Sequence, residues 1–102
     1  MNQAQLMAQV KKMQSEMAKA QEELAAMIVT GSAAGGAVSV EMTCDQRVKS
    51  VKIGKDAIDP EDPETLEDLV LVAVNDAIAK ANEASQKRMG SVTGGMRIPG
   101  LM

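Results

Sequence analysis

Apolar side chains recur along residues 6–27 at Leu6, Val10, Met13, Met17, Ala20, Leu24 and Met27, alternately four and three positions apart. This is a heptad a/d seam, and it predicts a long amphipathic helix made to lie against another helix. The residues between are Gln, Lys, Glu, Ser and Ala, which form helices well or tolerate solvent. About 25 residues rising about 1.5 Å each give a rod of roughly 37 Å. Such a rod outreaches a small core. Part of it must project or pair with a helix, from the same chain or from a second copy.

The period then changes. Met27-Ile28-Val29-Thr30 is rich in β-branched residues, and Gly31-Ser32-Ala33-Ala34-Gly35-Gly36 reads as a turn. Val38, Val40, Met42 and Cys44 alternate with Ser39, Glu41 and Thr43, the pattern of a half-buried strand. After a short Asp45-Gln46 turn, Val48, Val51 and Ile53 alternate loosely with Arg47, Lys49 and Lys52 in a third strand. The short connections favour an antiparallel three-stranded meander whose apolar face is covered by a helix or a partner's sheet. Residues 54–62 form an acidic connection, with Asp62 placed as an N-cap and Pro63 at the first helical position.

A second long helix is predicted from there to about Met89. Its first half is broadly apolar (Leu66, Leu69, Val70, Ala73, Val74, Ala77, Ile78), and only Ala81 and Ala84 continue that face. The alanine face, from Ala73 to Ala84, is expected to receive the Met and Leu seam of the first helix. Glu64, Glu67 and Asp68 near its start and Lys87 and Arg88 near its end complement the helix dipole. Residues 91–102 contain Gly94, Gly95, Pro99 and Gly100 and are expected to be a mobile tail, whose Met96, Ile98, Leu101 and Met102 can dock on the body or a partner. With no internal repeat or linker, residues 1–102 read as one α+β domain.

Composition adds a second subunit to this picture. Hydrophobic residues make up 45% of 102 residues, yet Phe, Trp and Tyr are absent and nine Met stand in their place. A small core without rings buries less area, so part of the stability is expected from a homodimer. Met fills irregular gaps; a Met-lined groove for peptides is the alternative use. A single cysteine, Cys44, forms no intramolecular disulfide and suits a reducing compartment. The chain opens with no basic stretch and apolar run, and no segment nears the roughly 18 apolar residues of a membrane span. A cytoplasmic protein without a membrane partner is expected.

Reactive chemistry is scarce. There is no His, which excludes Ser-His, Cys-His and His-metal constellations. Cys44 falls on the apolar face of a strand and reads as core. The acidic block of Asp56, Asp59, Glu61, Asp62, Glu64, Glu67 and Asp68 lacks the calcium-loop pattern and is interrupted by prolines, so it reads as caps and a solvated connection. Gly31 to Gly36 has the spacing of a phosphate loop but is followed by Ala37-Val38, not Lys-Ser or Lys-Thr, and reads as a hairpin turn. The chain is expected not to be an enzyme, with no catalytic residue, no metal, no cofactor and no small-molecule substrate.

Net charge is −3, which argues mildly against a nucleic-acid partner. Its distribution matters more. Arg47, Lys49, Lys52 and Lys55 stand together with no acid among them, and Lys80, Lys87, Arg88 and Arg97 face a lone Glu83.

One ordered set of segments resembles a known family. Gln21-Glu22-Glu23-Leu24, Val29-Thr30-Gly31, Gly35-Gly36-Ala37-Val38-Ser39-Val40, Val51-Lys52-Ile53, Leu66-Glu67-Asp68-Leu69-Val70, Asn75-Asp76-Ala77 and Gly94-Gly95-Met96 together resemble the YbaB/EbfC family of bacterial nucleoid-associated proteins. The resemblance implies a helix, three antiparallel strands and a second helix, paired as a tweezer-shaped homodimer. It also implies binding of double-stranded DNA that organises the nucleoid and affects gene expression. Carried over, the family's DNA contacts fall on Lys11, Lys12 and Lys19 of the first helix and on Lys80, Lys87 and Arg88 late in the second. Many relatives place glycine in the turn between second and third strands, where this chain reads Cys44-Asp45-Gln46.

The residues constrain how such binding would work. Without aromatic rings there is no platform for stacking single-stranded bases. Lysine outnumbers arginine, which suits contact with phosphates over bidentate readout of bases. Weak sequence preference and strong salt dependence follow. The alternative reading is a protein-interaction adaptor acting through the Met-rich seam or the apolar tail.

Overall fold

The computed structural model describes residues 2–93, ordered α1 (Gln3–Ala26), β1 (Ile28–Ala33), β2 (Val38–Thr43), β3 (Val48–Ile53) and α2 (Pro63–Thr93). The expected α+β order is present. Residues 94–102, where the tail and its apolar docking residues were placed, lie outside the described residues. Residues 91–93, expected to belong to that tail, continue α2.

The first helix starts earlier than its apolar seam. Asn2 and Gln5 form a capping box: the Gln5 N–H donates to Asn2 Oδ1 at 2.8 Å, and the Asn2 N–H donates to Gln5 Oε1 at 3.3 Å. These satisfy helix-end donors that the apolar pattern does not register. At the other end, the Cys44 N–H reaches the Leu24 and Met27 carbonyls at 3.1 and 2.9 Å, tying the end of β2 to the helix C-terminus. On α2, Asp62 caps as expected: the Thr65 N–H donates to Asp62 Oδ1 at 3.3 Å and the Thr65 hydroxyl to Oδ2 at 2.6 Å.

The sheet is an antiparallel meander in the order β1-β2-β3. β1 runs three residues beyond Thr30, so Gly31, Ser32 and Ala33 are strand and the turn begins at Ala34. Ala34, Gly35 and Gly36 all take positive φ there. Gly31 belongs in the strand because α2 passes directly above it. A Cβ at Gly31 would sit 2.3 Å from the Ala73 carbonyl oxygen and 2.3 Å from the Ala77 nitrogen. In the turn between β2 and β3, Gln46 holds the left-handed conformation, φ 67°, which glycine adopts at less cost.

The core lies between α2 and the first two strands. Ala33, Val38, Val40, Met42, Ala73, Ala77 and Ala81 form one buried cluster, with Val29, Leu66, Leu69, Val70, Val74 and Ile78 packed against it. This corrects the expected pairing of the alanine face: Ala73, Ala77 and Ala81 lie on the sheet, not on the α1 seam. Small side chains let the helix backbone descend onto Gly31. The α1 seam is buried only at Ala20 and Leu24, while Leu6, Val10, Met17 and Met27 are exposed. The extents of 70 × 27 × 17 Å and a radius of gyration of 19.4 Å compare with about 13 Å for a compact chain of this length.

Candidate nucleic-acid interface

Six cations were expected at the interface, and the structure separates them into two groups. Lys11 and Lys12 lie on the exposed part of α1, off the apolar seam, with no ion pair among the described residues. Lys19 lies two turns further along α1. It shares a surface hollow with Glu16, Arg88, Ser91 and Val92, and its charge helps to hold Glu23 ionised.

The three α2 cations face Met27 across a shallow groove that Glu83, Ala84 and Ser91 also line. Each has an internal partner. Lys80 Nζ lies 3.1 Å from Asp76 Oδ2 and donates to the Thr30 carbonyl at 2.9 Å. Lys87 Nζ lies 3.5 Å from Glu83 Oε1. Arg88 Nε donates to Glu23 Oε2 at 2.6 Å, joining α2 to α1. That hydrogen bond holds the Glu23 carboxyl below its ordinary pKa. Asp76 is also held low, first by the Ser32 N–H at 3.0 Å and then by Lys80. Lys80 and Asp76 therefore clamp α2 to the free edge of β1.

Another basic surface lies on β3. Cross-strand register pairs Val38 with Ile53, Val40 with Val51 and Met42 with Val48. The inner face of β3 is thus apolar, yet Val48, Val51 and Ile53 remain 52%, 48% and 39% exposed, because α2 covers β1 and β2. Leu71 of α2 is exposed as well. On the outer face, Lys52 pairs with Ser39 and Ser39 with Ser32. Arg47, Lys49, Lys52 and Lys55 are all exposed and have no ion pair among the described residues. The sequence displayed this block but did not show that it runs along an uncovered sheet edge.

Cys44 is buried, and burial raises its thiol pKa. The Thr43 hydroxyl bonds the Asp45 carboxylate, and the Arg47 N–H donates to that hydroxyl at 2.9 Å, which fixes the turn. Among the described residues no group of three or more Cys, Asp and Glu side chains is placed to hold a metal ion, and no helix is long and apolar enough to cross a membrane.

Exposed cations thus lie on the outer part of α1 and along the β3 edge, beside uncovered apolar faces. The chain belongs to the YbaB/EbfC DNA-binding family, whose sequence pattern matches residues 1–96, and is thus a member of a bacterial nucleoid-associated group. It is 50% identical over 97 residues to a nucleoid-associated protein of Chloroflexus aurantiacus, covering 95% of this chain and 97% of that one. It is 48% identical over 95 residues to one of Syntrophobacter fumaroxidans, covering 93% and 86%. The fold is similar to the crystal structure of an uncharacterized protein from Helicobacter pylori, with a TM-score of 0.81 at 23% identity, over 92% of this chain and 99% of the other.

Proposed function

We propose that this chain is a homodimeric nucleoid-associated protein of the bacterial cytoplasm that binds double-stranded DNA largely through its phosphates. It would organise the nucleoid with little sequence preference and affect gene expression as a consequence. The observation that carries the reading is the placement of Lys11 and Lys12 on the projecting part of α1, exposed and off the seam. Lys19 extends this row, and Lys80, Lys87 and Arg88 lie beyond it toward the groove. Their internal partners make the α2 cations the weaker contributors, since a phosphate must compete with a carboxylate already in place.

Dimerisation is supported by exposed area. The chain presents 7541 Å², against roughly 5,500 Å² for a compact monomer of this mass. The excess exceeds the roughly 800 Å² per partner of a standard interface. Val48, Val51, Ile53 and Leu71 supply an apolar patch for a second copy, and the α1 seam extends it into tweezer-like arms. Val51→Asp should convert the dimer to a monomer, read by light scattering on an eluting peak; an unchanged mass would refute this face as the interface.

The test of function is fluorescence anisotropy with duplex DNA at several salt concentrations. Reversing Lys11, Lys12 and Lys19 to Glu should weaken binding more than tenfold while leaving the mass unchanged. The exposed seam at Leu6, Met7, Val10 and Met17 favours the adaptor as a second reading. Protein partners that persist after nuclease treatment of a bacterial lysate would support it, and partners that disappear with the nucleic acid would oppose it.

A further inference from the structure

The helices that carry the expected contacts are not cationic. α1 holds three lysines against three glutamates, and α2 holds Lys80, Lys87 and Arg88 against Glu64, Glu67, Asp68, Asp76 and Glu83. The segment from residue 46 to residue 55 holds four cations and no acid. We propose that Lys49 and Lys52 on β3, with Arg47 just before it and Lys55 just after it, form the principal phosphate-binding surface for duplex DNA, ahead of the helical lysines. The inference rests on the DNA-binding reading above and assigns the site within it.

Three observations support the assignment. All four side chains are exposed and have no carboxylate partner among the described residues, whereas each α2 cation does. An unpaired lysine gives up only water to bind phosphate; a paired one must also abandon its acid. The row is also extended. The pairing of β2 with β3 shifts between Glu41 and Met42, which leaves Lys49 as the extra residue of a bulge; from Lys49 to Lys52 the strand covers about 10 Å at a rise of about 3.3 Å per residue, close to three steps of about 3.4 Å along a duplex axis.

The outer face beside the row is low and hydroxyl-bearing. Ser32, Ser39 and Lys52 lie in one cross-strand line, and Thr30, Glu41 and Ser50 in the next. Glu41 accepts from the Ser50 hydroxyl at 2.6 Å and is the acid within this face; Asp45 and Asp56 stand at the two ends of the row. Lysines on a free strand edge also discourage strand addition by another sheet. That duty alone would leave DNA affinity independent of them.

The experiment compares the full chain with two variants by anisotropy on one duplex across a salt series. One variant carries Arg47→Gln, Lys49→Gln, Lys52→Gln and Lys55→Gln; the other carries Lys11→Gln, Lys12→Gln and Lys19→Gln. The β3 variant should bind more than tenfold more weakly, and its salt slope should flatten by about 3 or more, at about 0.9 for each phosphate no longer neutralised. The α1 variant should change less in both affinity and slope. Replacing Lys49, Lys52 and Lys55 by Arg should preserve binding. In parallel, acetylation of the unaltered protein with and without duplex reads the same site without any substitution, and Lys49, Lys52 and Lys55 should be protected. A β3 variant with wild-type affinity and slope, or these lysines acetylated equally fast with DNA present, would overturn the assignment and leave DNA binding intact. Failure of the unaltered protein to bind duplex at low salt would overturn both readings.

Discussion

Gly31 sets how closely the sheet and α2 approach. It is buried under the backbone of Ala73 and Ala77, and any Cβ there meets backbone atoms that cannot rotate away. Gly31→Ala should therefore destabilise by about 3 kcal/mol or more, beyond the ordinary range for a surface change, read as a lower denaturant midpoint. A wild-type midpoint would mean that the helix can rise without cost. The sequence marked Gly31 as a turn, since glycine before Ser and Ala has that pattern. The close approach that explains it involves residues more than forty positions away and was not legible locally. Acid sensitivity is also decided by single residues. Glu23 is held below its ordinary pKa by Arg88, and Asp76 by the Ser32 N–H and Lys80. A depressed carboxyl adds stability above its unfolded-state pKa, and this is lost as pH falls through the lower folded value. The urea midpoint should hold near neutrality and drop below about pH 4, with a smaller drop in Asp76→Asn. An equal drop in that variant would exclude Asp76 from the effect.

At the scale of elements, periodicity was a sound guide to existence and type. The alternation at Val38, Val40 and Met42 gives β2, and Asp62-Pro63 opens α2. Asp62→Ala should cost about 1 kcal/mol, measured by thermal unfolding, and an unchanged stability would show that the cap is redundant with water. What each helix packs against was less legible. The alanine face and the α1 seam are complementary in bulk, but Ala73, Ala77 and Ala81 are spent on the sheet, which needs a backbone-close cover over Gly31. The positions of the six expected cations on the two helices were legible to the same degree. The lysines stand where the pattern places them, and the i,i+4 partners of Lys80 and Lys87 can be read from the chain. Arg88 meets Glu23 across 65 positions, which only the antiparallel packing of α1 and α2 brings about.

At the scale of the whole molecule, an acidic chain presents its cations in separate places. The acids gather in the connection before α2 and along α2, while β3 and the outer part of α1 carry exposed lysines. Net charge is therefore a poor guide to what this surface attracts, because a duplex within one Debye length, about 8–10 Å, senses the nearest face. The uncovered apolar residues on β3 and α1 bear on assembly in the same way: the monomer leaves exposed what a compact fold of this size would bury. If the proposed phosphate-dominated binding of duplex DNA holds, the affinity of the unaltered protein for one duplex must fall steeply as salt is raised. With about 6 phosphates neutralised per dimer, log affinity should fall against log salt with a slope near −5, and a duplex of unrelated sequence should give nearly the same line. Absence of binding at low salt, or an affinity that does not change with salt, would contradict it.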